Sequence, residues 1–127
     1  VSLKELEQSF LNYARLSREA KDLEILAGFR RQGGVFSKQQ TALYYLTADK
    51  RKQLKALKKR VEKDGFIFGQ IEERKNRDGQ KFHLLILRKK LDLLDLKSVF
   101  QFSSHAAGYE DSENGPFLSH WQILDSE

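Results

Sequence analysis

Four lysines, Lys52, Lys55, Lys59 and Lys63, recur at three- and four-residue steps and form one ridge if the segment around them is helical. Their chemistry is ionic: a row of ammonium groups presented to an anionic surface. Like charges at this spacing repel by a few tenths of a kcal/mol per pair, so the row costs helix stability unless something negative lies against it. Arg51, Lys58 and Arg60 lie on the flanks of the ridge, and Arg88, Lys89 and Lys90 follow as a second basic cluster. The plain alternative is a solvated lysine-rich face, since lysine is a good helix former.

Other residue types offer less. His83, His105 and His120 are scattered, with no two at the spacing of a metal site. Glu72-Glu73 followed by Lys75 resembles an acidic–x–Lys nuclease signature but lacks the upstream acidic residue such a site requires. Gly33-Gly34 has no strand before it and no helix directly after it, so it reads as a helix stop rather than a phosphate loop. The chain has no cysteine, which excludes disulfides, thiolate metal sites and cysteine nucleophiles. The expectation is therefore a binding module, not an enzyme, with no cofactor and no metal.

The net charge of +5 hides an asymmetry. Residues 1–90 hold 22 Lys and Arg against 11 Asp and Glu, while residues 91–127 hold Lys97 alone against seven acidic residues, so the two segments carry +11 and −6. A basic surface of this kind suits a polyanionic partner. The longest apolar runs, such as Leu84 to Leu87, are far too short to cross a bilayer, and the N-terminal VSLKELEQ lacks the apolar stretch of a signal peptide. A cytoplasmic protein that does not engage a membrane is expected.

The elements that must position these charges follow from periodicity. Ser2 with Glu5 forms a capping-box pattern. Leu3, Leu6, Phe10, Tyr13 and Ser17 then keep helical spacing, and a change of apolar phase near Leu16 to Asp22 leaves room for a kink before Leu26 and Phe29. Arg30-Arg31 and Gly33 close this segment. A helix of this kind packs on a core or meets another subunit, which makes homo-oligomerisation through it an open option.

From Thr41 the chain alternates, with Ala42, Tyr44 and Leu46 opposed to Thr41, Leu43, Tyr45 and Thr47; apolar groups on both sides predict an inner strand. Thr47 is the expected N-cap of the basic helix, whose core stripe is Leu54, Leu57 and Val61 and whose stop is Asp64-Gly65. Phe66 to Arg74 and Lys81 to Leu87 predict a hairpin about Asn76, Asp78 and Gly79, with Arg88 to Lys90 leaving the sheet. Asp92 or Asp95 caps a helix that stops at Gly108, and Tyr109 to Pro116 is an acidic, turn-rich loop. In the last strand Phe117, Ser119, Trp121 and Ile123 are expected on one face.

The order is strand–helix–strand–strand–helix–strand behind a leading helix. It predicts a single α+β domain over residues 1–127: an N-terminal helical segment, 1–33, and a ferredoxin-like split βαβ core, 41–124, with a four-stranded antiparallel sheet and two helices on one face. The leading helix can cover the bare sheet face, pack beside the other helices or project. RNA-recognition motifs share this core and stack bases on aromatics of the central strands. Tyr44 or Tyr45 would suit, but the third strand has Phe82 followed by aliphatics where alternating glycines and aromatics are needed. Nucleic acid would then be bound through its backbone by the basic face, as the alternative to a protein partner.

The run YYLTADKRKQLKALKKRVEKDGFIF and the hairpin RDGQKFHLLILRK resemble the family of regulator of ribonuclease activity B. Leu46-Thr47-Ala48-Asp49, Gly65-Phe66 and Asp78-Gly79 carry the likeness, which is specific over about Tyr44 to Leu87. The resemblance implies a non-enzymatic regulator of RNA degradation whose partner is a protein, a ribonuclease or another RNA-processing component. The best-known member of that family is strongly acidic and binds the scaffold region of ribonuclease E, whereas the corresponding helix here is basic. The family's Asp-Gly-Trp segment after its last helix is also absent, with Trp121 placed later, beyond an inserted acidic loop.

Overall fold

The computed structural model describes residues 2–37, 39–111 and 115–124. Its elements are α1 (Leu3–Arg31), β1 (Gln40–Ala48), α2 (Arg51–Lys55), α3 (Lys58–Lys63), β2 (Ile67–Lys75), β3 (Lys81–Leu91), α4 (Leu96–Ala107) and β4 (Phe117–Leu124). The strands form one antiparallel sheet in the order β2-β3-β1-β4, so the first and third are central, as the split βαβ arrangement requires.

Each of the four helical segments contributes apolar residues to a core on one face of this sheet. Leu26 and Phe29 of α1, Leu54, Leu57 and Val61 of the α2–α3 segment, and Val99 and Ala106 of α4 share one cluster with Tyr44, Leu46, Leu85, Leu87 and Trp121. Tyr44 stacks on Trp121 at 5.5 Å and meets the edge of Phe66 at 5.3 Å. The opposite face bears Leu43, Tyr45, Ile86 and Arg88, and no helix among the described residues packs its core side chains there.

Caps and turns sit where the sequence places them, with one exception. Ser2 Oγ accepts from the Glu5 N–H at 3.1 Å, and α1 runs unbroken to a stop at Gly33, φ +90°. Asp95 accepts from the N–H and hydroxyl of Ser98, and these bonds hold its carboxyl below the usual carboxylate range. Asn76 Oδ1 takes the N–H groups of Asp78 and Gln80 to close the hairpin. Thr47, however, does not cap a helix. It is paired on both sides within β1, with Leu84 and Phe117, and the helix begins after Lys50, whose N–H donates to Gln53 Oε1 at 2.9 Å.

Two further expectations are corrected. The basic segment is two short helices joined by a turn at Ala56-Leu57, where the Leu57 N–H reaches back only three residues to Leu54. In β4 the register shifts opposite Tyr45 and Leu46, so Ser119 is left between His120 and Leu118; Leu118 joins the core face with Trp121 and Phe117 falls on the open one. Of the acidic loop 109–116, Ser112 to Asn114 lie outside the described residues, while Tyr109 is buried.

The leading helix packs beside the others rather than over the bare face. Its tether is Asp22, 2% exposed, whose Oδ1 accepts from Ser103 Oγ of α4 and from Trp121 Nε1 of β4, both at 2.8 Å. N-terminal to Ser17 every described residue of α1 is exposed, so that half of the helix projects from the sheet.

Candidate partner-binding surface

The core fixes the lysine ridge from behind. Leu54, Leu57 and Val61 are buried, and Lys52, Lys55, Lys59 and Lys63 are all exposed on the opposite side of the α2–α3 segment. From Lys52 to Lys63 the ridge extends about 16 Å at the helical rise.

Among the described residues the ion pairs are Arg74 with Glu72 and Lys81 with Glu73, and His105 Nδ1 lies 3.7 Å from Asp64 Oδ2. No ridge lysine takes part. The two arginines of the segment are used differently. Arg60 donates to Gly108 O at 3.0 Å and lies 5.0 Å over the ring of Tyr109, and Arg51 reaches Ile71 O at 3.5 Å. The arginines therefore bind the segment to its neighbours, while the lysines face outward.

Below the ridge a groove runs between the helices and β2, lined by Arg51, Lys55, Lys58 and Glu62 on one side and Phe68, Gly69 and Ile71 on the other. Gly69 sits where β2 shifts register; a Cβ there would lie 2.5 Å from the carbonyl oxygen of Ile86. Only glycine allows the two strands to approach so closely.

The second basic cluster does not leave the sheet, and it is not one surface. Arg88, Lys89 and Lys90 are the last paired residues of β3 before Leu91, so strand alternation separates them. Lys89 turns to the helix-covered face, half-buried, with Nζ 4.8 Å over the ring of Phe102. Arg88 and Lys90 are exposed on the open face. The four lysines are exposed along α2 and α3, and these three, on β3, form no common surface with one another.

The histidines and the nuclease-like carboxylates do not converge on one site among the described residues. Glu72 and Glu73 face opposite sides of the sheet, opposite Leu84 and His83, which separates the carboxylates of the nuclease-like pattern. His83 Nδ1 lies 3.2 Å from Asp49 O, and His120 stacks on Tyr45 at 4.3 Å. Among the described residues no three His, Cys, Asp or Glu side chains converge as a metal site. Tyr44 is wholly buried, so of the two tyrosines only Tyr45 reaches the open face, where Gln122 Nε2 donates to its hydroxyl.

Two residues escape a reading of the sequence by periodicity alone. Asp22 occupies a core position with an acidic side chain; its signal is the i, i+4, i+7 spacing with Leu26 and Phe29. Asp64 doubles as helix stop and anchor, its Oδ2 accepting from the Tyr109 hydroxyl at 2.6 Å. Burial and the Asp64 carboxylate together hold the Tyr109 hydroxyl well above the usual phenol range.

A sheet covered on one face by helices, with four exposed lysines along α2 and α3 that form no ion pair among the described residues, defines an α+β protein with an exposed cationic row. The family model described as regulator of ribonuclease activity B matches residues 19–115. The chain belongs to that family. The match takes in the residues anchoring α1 and the whole ridge, and leaves outside it the projecting half of α1 and β4. No curated protein matches the chain.

Proposed function

We propose that this protein regulates ribonuclease activity by binding a protein partner, a ribonuclease or another component of RNA degradation in the cytoplasm, through the ridge of Lys52, Lys55, Lys59 and Lys63. The observation that carries the reading is that these four lysines are exposed and form no ion pair among the described residues, on a helical segment whose other side is locked into the core. An arrangement that costs helix stability by self-repulsion is relieved by an anionic surface lying against it. Family membership supplies the activity being regulated. The partner's contact region is, on this reading, acidic.

The same row of charges supports a second reading, direct backbone-directed binding of RNA. The two separate under salt. Contacts to four to six phosphates of a single strand give a log–log slope of affinity on salt of about −3 to −4. Fluorescence anisotropy with a generic single-stranded RNA and with the purified ribonuclease of the same source distinguishes them. Tight binding to the ribonuclease with none to RNA at low salt supports the protein-binding reading, and the reverse result replaces it with the RNA-binding one.

A further inference from the structure

Helix α1 carries a second surface. Its buried residues Asp22, Leu26 and Phe29 occupy one side, and at 3.6 residues per turn Leu3, Leu6, Phe10 and Tyr13 fall on the opposite side. These four are 71%, 44%, 63% and 74% exposed. They repeat at steps of three and four, the spacing of a coiled-coil seam, and the same seam continues through Ser17, Ala20, Glu24 and Ala27. The seam is thus large and apolar in its first half and small, apart from Glu24, in its second.

We infer that this seam pairs with a second copy of the chain, the two α1 helices lying antiparallel about a two-fold axis near Arg15. In an antiparallel pair each layer joins one a position to one d position. With the axis near Arg15, Phe10 meets Ala20 of the second copy, Tyr13 meets Ser17, and Leu3 meets Ala27. Each large side chain lies over a small one, and every contact occurs twice by symmetry. Glu24 meets Leu6, where its methylenes cover the leucine and its carboxylate reaches solvent at the rim.

The flanking residues agree. Glu7 lies beside Lys21 of the second copy on one side of the seam, giving two opposite-charge pairs per dimer, and Ala14 faces Ala14 between them. On the other side Leu16, 57% exposed, meets Leu16 across the axis. A parallel pairing has none of this: it sets Phe10 on Phe10 and Glu24 on Glu24. Asp22, through which α1 is tied to its own α4 and β4, lies on the opposite side of the helix from Leu6 and Tyr13.

The area suffices for a specific contact. Two aromatics and two leucines from each copy cover about 1,000 Å² in all, if each aromatic buries roughly 150 Å² or more; about 1,000 Å² is the lower bound for a specific interface. The inference is independent of the lysine ridge, which lies on another element.

Sedimentation velocity over a concentration series tests it, with the Ala20→Phe, Phe10→Ala and combined variants. All alter exposed residues, and circular dichroism checks that each is folded. The wild type is expected to show a concentration-dependent monomer–dimer equilibrium. Ala20→Phe, which puts a ring against Phe10, is expected to weaken it at least about tenfold, and Phe10→Ala likewise. The combined variant moves the ring across the seam and is expected to recover most of the loss. A wild type that stays monomeric throughout overturns the inference, as does a combined variant no better than either single change.

Discussion

The indole N–H of Trp121 donates to Asp22 Oδ1 at 2.8 Å, across 99 positions of the chain. This bond, with the one from Ser103 to the same oxygen, ties the first helix to the last helix and the last strand. Asp22→Ala removes the acceptor of both and leaves two buried donors without partners, each costing about 1–3 kcal/mol. Urea denaturation is expected to show a loss of roughly 2–4 kcal/mol. A loss under about 0.5 kcal/mol, the scale of an ordinary surface change, contradicts the tether.

Stability should also depend on pH through the same residue. Burial raises the Asp22 carboxyl above its ordinary value of 3.8, against the lowering effect of its hydrogen bonds. Its Oδ2 has no hydrogen-bond partner among the described residues. A group whose folded pKa is raised favours folding fully below its unfolded pKa, and that contribution is lost as pH rises through the folded value. Asn at this position keeps an acceptor oxygen and cannot ionise. The wild type is therefore expected to lose stability relative to Asp22→Asn as pH rises from below 3.8, as measured by paired denaturation curves; a constant difference contradicts the raised carboxyl.

Gly69 is a steric requirement. With a Cβ 2.5 Å from Ile86 O, Gly69→Ala must push β2 from β3 at its register shift, and overpacking of this kind costs about 1–3 kcal/mol. Thermal unfolding reads it directly. Gly79→Ala, where the added carbon meets nothing within 4 Å but φ is +80°, is expected to cost about 1 kcal/mol from backbone strain alone.

Tyr109→Phe isolates one bond. The ring keeps its place against Phe66 and under Arg60, and only the hydroxyl donated to Asp64 is lost. A loss of about 1.5–3 kcal/mol at neutral pH is expected, the range for a bond to a charged acceptor. An unchanged stability means that the bond from Tyr109 to Asp64 does not hold the two segments together.

The fold is largely legible in the sequence because its signals are local. Alternation from Thr41, the Asn76 to Gly79 turn and the glycine stops at Gly33 and Gly65 each select one conformation, and together they leave one strand order. The failures are tertiary. Nothing near Thr47 shows that neighbours on both sides extend β1 past it. The turn at Ala56-Leu57 contains no glycine or proline. Arg88 to Lys90 read as solvent-bound because of their charge, yet Lys89 lays its stem along the covered face and its ammonium over Phe102. The ridge itself is legible from spacing alone, since it needs only a helix and a core stripe opposite. That it lacks acidic partners is a property of the folded chain.

Reversing the ridge addresses the proposed function most directly. The variant Lys52→Glu, Lys55→Glu, Lys59→Glu and Lys63→Glu changes four exposed side chains that form no ion pair among the described residues, so its stability should stay within about 1 kcal/mol of wild type. The decisive measurement is the cleavage rate of a labelled RNA by the purified ribonuclease of the same source, titrated with wild type and with this folded variant. The wild type is predicted to change the rate in a saturable, salt-sensitive way, and the variant to leave it unchanged over the same range. Equal effects of the two proteins would contradict the assignment of the lysine ridge as the regulatory surface.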